Sequence, residues 1–554
     1  MNLADHYDLR LGDHQEQVEK RLEEWQENRF ADRLWERDHT LWASNPLPEL
    51  TDRLGWLDLP GEMLDQVADL ENFSDSIRSE GFRHILLLGM GGSSLAPEVF
   101  QETFGNTDGY PALRVLDSTH PEAVQNVTEE IDLETTLFVV SSKSGGTVET
   151  ISFFRYFYSL LKELSEDPGS HFVAITDPGS SLSDLARDHG FRRVFETPPE
   201  VGGRYSALTF FGLVPAALIG VDTGKLLASA RVIAKTTTFA APGPANPALT
   251  LGAMLGEMAL NGRDKVTFMA SPSLTAFPAW LEQLIAESTG KEGHGIVPVA
   301  DEPIGEPEAY GRDRLFVAFS LAGEEGPADD SLFTALEEKG HPVLRIVLDE
   351  KEDLGREMYA WEIAVAAAGS VMGINPFDQP DVQLAKDLAR QAMSGEADEG
   401  PSLEEFGTAD LSELERAVYH WARQAKAGDY FSLQIWLPPS DRLSDRLQSL
   451  QTFLRDRRKL AATVGYGPRF LHSTGQLHKG GPDRVLVLQL VDDTAVDLPV
   501  PDTDYSFGSL ARAQSIGDYR ALSQRGRRIL RINLGRDRDG ALSALEQAAG
   551  MDRT

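Results

Sequence analysis

A chain of 554 residues with 41% hydrophobic residues is long enough for two or three domains and can bury a substantial core. Its 87 acidic residues against 52 basic ones leave a net charge of −35, which sets it against nucleic acid and anionic membrane as partners. Cysteine is absent, so a disulfide framework and a thiolate metal site are excluded.

Met1 to Phe30 is charged throughout and lacks an apolar leader segment, and no run reaches the ~18–20 apolar residues that span a bilayer, so a soluble cytoplasmic protein is expected. Residues 1–60 are polar and helical, an N-terminal arm with Trp25, Trp35 and Trp42 as packing anchors. Residues 61–225 carry strands near 85–88, 113–116, 137–140, 172–175 and 193–195, each followed by a turn and usually a helix, which is the pattern of a doubly wound parallel sheet. Residues 226–393 repeat the alternation, with a helix around 247–261, strands near 266–270, 296–299, 315–320 and 343–348, and a long helix over 361–373. The acidic, small-residue stretch 394–401 reads as an exposed loop and a boundary. Residues 394–554 form a C-terminal α/β part, with strands at 430–436, 484–490 and 529–534 and a charged helix near 442–464, expected to pack on the second domain. The fold class is therefore α/β, two doubly wound parallel sheets flanked by helices, with an N-terminal helical arm and a C-terminal extension.

Ser141-Ser142-Lys143-Ser144-Gly145-Gly146-Thr147-Val148-Glu149-Thr150 follows the apolar run Leu137 to Val140 and opens a helix. Gly145 and Gly146 let the backbone approach a ligand, the first-turn N–H groups carry partial positive charge, and Ser142, Ser144, Thr147 and Thr150 supply hydroxyls, so one phosphate fits. The alternative is an ordinary capped βα turn. A second glycine loop, Leu88-Gly89-Met90-Gly91-Gly92-Ser93-Ser94, follows the strand Ile85 to Leu88. It departs from the dinucleotide fingerprint, because Ser94 stands where the third glycine belongs and Asp117 lies too far downstream.

The decamer resembles the phosphosugar-binding loop of the phosphoglucose isomerase family, and further blocks resemble that family in its own order. They are the loop with Gly92 and Ser93; Val201-Gly202-Gly203-Arg204-Tyr205-Ser206; Gln283 to Lys291 around Glu287; and Gly373 to Lys386, with Gln379 and Lys386. The match is closer to the isomerase half of fused transaldolase/phosphoglucose isomerase proteins, which share the tract Phe470 to Pro482, so it covers nearly the whole chain. Only about 60 residues precede the first domain, too few for the ~250-residue barrel a transaldolase needs. The histidine tract comes last here, whereas better-known members place their ring-opening histidine before the Asn-x-Phe-Asp-Gln segment. His478 is the favoured candidate, with His472 second and His294 third.

The resemblance implies two sugar-isomerase (SIS) domains and reversible aldose–ketose isomerisation of glucose 6-phosphate and fructose 6-phosphate, in glycolysis and gluconeogenesis, with no cofactor and no metal. It gives Glu287 the proton transfer between C1 and C2, Arg204 the stabilisation of the enediolate, and the histidine with Lys386 the opening of the ring. Gly92, Ser93, Ser142, Lys143, Ser144, Thr147, Thr150, Gly203 and Gln379 would bind the phosphosugar. The chemistry is consistent with these residue types, since a carboxylate of tuned pKa shuttles a proton without a metal and a guanidinium keeps its charge beside an oxyanion. Many members are dimers that borrow a histidine from the partner subunit, so a homodimer is expected, with the borrowing left open. Two other readings stand beside this one: a non-catalytic phosphosugar-binding SIS regulator, and an isomerase of another phosphosugar such as mannose 6-phosphate. The excess of carboxylate, with 13 lysines among the 52 basic residues, fits a salt-rich cytoplasm and equally a base-composition bias that exchanges Lys for Arg.

Overall fold

The computed structural model describes residues 6–238, 246–394 and 402–551, so the acidic stretch 395–401 lies outside the described residues. A short strand, β1 (Tyr7–Arg10), opens the chain where the sequence suggests only helix. Strands β2 (His84–Gly89), β3 (Ala112–Leu116), β4 (Thr136–Ser141), β5 (Phe172–Thr176) and β6 (Arg193–Glu196) form a parallel sheet in the order β3-β2-β4-β5-β6. Their near-continuous apolar runs follow from burial on both faces: Ile85 and Leu87 enter one core, Leu86 and Leu88 another.

Strands β7 (Lys265–Ala270), β8 (Val297–Val299), β9 (Arg314–Leu321) and β10 (Val343–Leu348) form a second parallel sheet, and β1 closes its edge by pairing antiparallel with β10. The N-terminal segment is thus built into the second unit, and Trp25, Trp42 and Trp56 sink into the core common to both units. A third sheet, absent from the sequence expectation as a complete layer, contains β11 (Phe406–Gly407), β12 (Tyr430–Ile435), β13 (Ala461–Tyr466), β14 (Val485–Val491) and β15 (Arg528–Asn533), all parallel, in the order β11-β15-β14-β12-β13. The helix expected over 442–464 stops at Arg458, because Lys459 turns left-handed at φ 55° and Ala461 to Tyr466 continues as β13.

Six helices position the site: α1 (Val148–Lys162), α2 (Phe277–Thr289), α3 (Leu354–Met372), α4 (Gln383–Ser394), α5 (Gly475–Gly480) and α6 (Phe507–Gln524). Helix α3 is buried along almost its whole length and starts already at Leu354. The third unit docks on both others. Toward the second, Glu302 accepts from Ala462 N at 2.9 Å and from the buried Arg314 at 2.9 Å, and Arg484 meets Asp264 at 2.8 Å. Toward the first, Arg469 meets Glu98 at 2.7 Å and Asp117 at 2.6 Å, and Arg538 meets Glu122 at 2.6 Å. No helix among the described residues is long and apolar enough to cross a membrane.

Candidate active site

The cradle is the turn between β4 and α1. Gly145 stands at φ 73°, and a Cβ there would come within 2.6 Å of Leu182 N, so both conformation and space call for glycine. Gly146 has nothing within 4 Å of an added Cβ. Ser142 Oγ and Thr147 Oγ1 lie 2.9 Å apart, and Ser144 Oγ accepts from Gly146 N at 3.3 Å. Thr147 precedes the first turn of α1, whose N–H groups and dipole favour an anion. Thr150 is fully buried, and its hydroxyl has no protein partner among the described residues. The ammonium of Lys143, expected to bind phosphate, pairs with Asp177 and also donates to Pro199 O at 3.3 Å. Burial lowers the pKa of that ammonium, with Asp177 opposing.

The second glycine loop joins the two halves of the site. A Cβ at Gly91 would meet His472 O at 2.9 Å, and one at Gly92 would meet Gly203 O at 2.0 Å, so the loop lies in close contact with both the histidine tract and the Arg204 turn. Ser93 O accepts from Ser141 Oγ at 3.2 Å, which ties this loop to the cradle strand. Arg204 is 2% exposed; its Nε donates to Ser288 Oγ at 2.7 Å, and its NH2 group donates to Pro376 O at 2.7 Å and Asp378 O at 3.0 Å. NH1 donates to Gln379 Oε1 at 2.6 Å and stands 3.5 Å from the Glu287 carboxylate. Gln379 therefore engages Arg204 first. Lys291, at the end of the Glu287 block, is buried and pairs with Asp378 at 2.8 Å; burial, with Arg204 nearby, lowers its ammonium to about 8.

A cavity of about 300 Å³ is lined by Ser144, Thr147, Glu149, Lys386, His472 and Gln514, among others. His472 Nε2 lies 3.1 Å from Glu149 Oε1. Burial raises the Glu149 carboxyl, but His472 and, more weakly, Lys386 outweigh it and hold the group below the usual carboxylate range. His478 lies elsewhere, in the third unit: its ring nitrogens sit 3.3 Å from Ser432 Oγ and 3.3 Å from Gln434 Nε2. Burial, with Lys479 and Arg527 adding to it, pushes His478 down to about 3, so it stays neutral through the physiological range. Of the two candidate histidines, His472 lines the cavity and His478, the preferred one, does not. His294 does not line the cavity. Arg204 and Glu287 do not line it either; they form a separate pair joined to it through the Gly91 and Gly92 loop. No group of three or more His, Cys, Asp and Glu residues among the described residues could hold a metal ion.

The family model for phosphoglucose isomerase matches residues 63–301. A glucose-6-phosphate isomerase of Rubrobacter xylanophilus is 30% identical over 394 residues, which is 62% of this chain and 90% of that protein. The chain belongs to the phosphoglucose isomerase family. A probable glucose-6-phosphate isomerase of Methanococcus maripaludis is 29% identical over 395 residues, covering 63% of this chain and 86% of that protein. Among solved structures, a hypothetical protein of Thermus thermophilus superposes with a TM-score of 0.60 at 27% identity, over 70% of this chain and all of that one.

Within this phosphoglucose isomerase fold, Ser288, Lys291, Glu149 and Gln514 join the site although the sequence did not assign them a role. Glu149 lies inside the cradle decamer, where an acid in a helix's first turn reads as an ordinary dipole partner. Ser288 and Lys291 lie inside the Glu287 block, and only the fold turns them toward Arg204 and Asp378. Gln514 sits on α6, more than three hundred residues from Glu149, with no local signal.

Proposed function

We infer that this chain interconverts glucose 6-phosphate and fructose 6-phosphate by opening the sugar ring and then moving a proton between C2 and C1. Ser144, Thr147 and the N-terminal turn of α1 hold the phosphate. His472, oriented by Glu149, moves the proton between ring oxygen and anomeric hydroxyl, and Lys386 adds positive charge on the same cavity. Glu287 removes the C2 proton of the open aldose while the electrons move onto the C1 oxygen, giving an enediolate. Returning the proton to C1, while the C2 hydroxyl gives up its proton to the C1 oxygen, yields the ketose with no net redox change.

The observation that carries the reading is the 3.5 Å approach of Arg204 NH1 to Glu287, with the Nε and NH2 groups of Arg204 all committed to protein acceptors. Its guanidinium is preorganised, so stabilising charge on the enediolate requires no reorganisation. The test is fructose 6-phosphate turnover coupled to glucose-6-phosphate dehydrogenase without added metal. Turnover that drops by ~10²–10⁴-fold in Glu287→Gln is the expected result. No turnover by the parent while it still binds fructose 6-phosphate would make the chain a sensor, and a fully active Glu287→Gln would remove the glutamate from the chemistry.

A further inference from the structure

The third unit does more than contribute His472. On α6, Leu510, Gln514, Gly517, Asp518 and Ala521 recur at helical spacing and are all buried. Gln514 Nε2 donates to Glu149 Oε1 at 2.7 Å, the same oxygen that faces His472 Nε2, and Gln514 Oε1 accepts from Thr119 Oγ1 at 2.8 Å. The Glu149 carboxylate only accepts, so the amide nitrogen of Gln514 must face it, and Thr119 holds the other end of the carboxamide by donating to its oxygen. Facing an acceptor-only carboxylate, His472 Nε2 carries its proton, and Nδ1, which has no protein partner among the described residues, is left free to take one. One turn further along α6, Gly517 lets α4 approach: a Cβ there would meet Ala389 N at 2.6 Å and Ala385 O at 2.7 Å, flanking Lys386. Asp518 pairs with Lys479 of α5 at 2.5 Å.

We propose that Gln514 is a positioning residue for ring opening, its carboxamide pinned by Thr119 so that Glu149 is held in line with His472. The proposal rests on the function inferred above. A leucine would leave the carboxylate free to rotate away from His472, and a carboxylate would place a second negative charge against Glu149. The charged groups that line the cavity with Glu149 are His472, Lys386 and Arg390 from α4, and Lys479, which pairs with Asp518.

The test is the exchange between α and β anomers of glucose 6-phosphate, followed by NMR on the full chain, beside isomerisation by the coupled assay. Gln514→Leu is expected to slow both by roughly 10–100-fold, the usual cost of losing a group that orients a ligand or base, with KM little changed. Thr119→Val, which keeps the glutamine but unlocks its orientation, should lower both rates less. In Gln514→Glu the introduced carboxyl donates as the amide did only when protonated, so activity should recover toward acid pH, a shift that a purely structural role would not produce. Gln514→Leu and Thr119→Val that fold with the parent's near-UV spectrum and exchange anomers at the parent rate overturn the positioning role alone. Exchange that survives His472→Asn removes the histidine and Gln514 together, and a parent without isomerisation overturns the reading beneath both.

Discussion

At the scale of single residues, neighbouring positions of one motif behave differently once folded. Gly145 is locked by a positive φ and by Leu182, whereas Gly146 opens into free space. Gly145→Ala should lower phosphosugar affinity and thermal stability, and Gly146→Ala, with no protein atom near its added Cβ, should leave the melting temperature near the parent value. The two histidines separate in the same way. His472→Asn is expected to lower kcat at unchanged melting temperature, and His478→Asn to lower melting temperature while the folded protein keeps its kcat. Arg204, Glu287 and the cradle were legible in the sequence as blocks, because each sits in a local pattern. The different surroundings of His472 and His478 were not, since the enclosure of His478 depends on the packing of β12 and α5. Lys143 likewise read as a cation beside the cradle, until Asp177 of a different turn claimed it.

At the scale of elements, strand runs such as Ile85 to Leu88 and Leu137 to Val140 announced the first sheet, because strands buried on both faces are apolar without interruption. β1 escaped detection since its four residues are only half-buried and pair with β10 some three hundred residues away. The overrun of the helix ending at Arg458 has a local cause in the left-handed turn at Lys459. Helix α1 brings a pH dependence. Because the Glu149 carboxyl is depressed in the fold, its contribution to stability is present above the ordinary carboxylate range and is lost as pH falls through its folded value. Glu149→Gln should therefore cost roughly 1.5–3 kcal/mol of stability near neutrality, the usual worth of hydrogen bonds to a charged group, with the urea midpoints of variant and parent converging in acid.

At the scale of the whole molecule, the candidate site draws on all three units: the cradle and Arg204 from the first, Glu287 from the second, His472 from the third. These groups belong to one chain. Specific activity should therefore hold on dilution to a sedimenting monomer, and loss of activity with dissociation would show that a partner subunit completes the site. The net charge of −35 works against an anionic substrate, and salt screens it over ~8–10 Å at ~0.1–0.15 M and ~3 Å at 1 M. Activity that rises with KCl is the expected outcome, and a steady fall would favour the compositional origin of the acidic excess.

In the proposed function ring opening falls to His472 and proton transfer to Glu287, which makes them separable steps on separate parts of the site. The decisive measurement is anomer exchange against isomerisation of glucose 6-phosphate in the parent, Glu287→Gln and His472→Asn. Exchange should persist in Glu287→Gln while isomerisation is lost, and both should fall in His472→Asn. Isomerisation at the parent rate in Glu287→Gln, or undiminished exchange in His472→Asn, would contradict this division of labour.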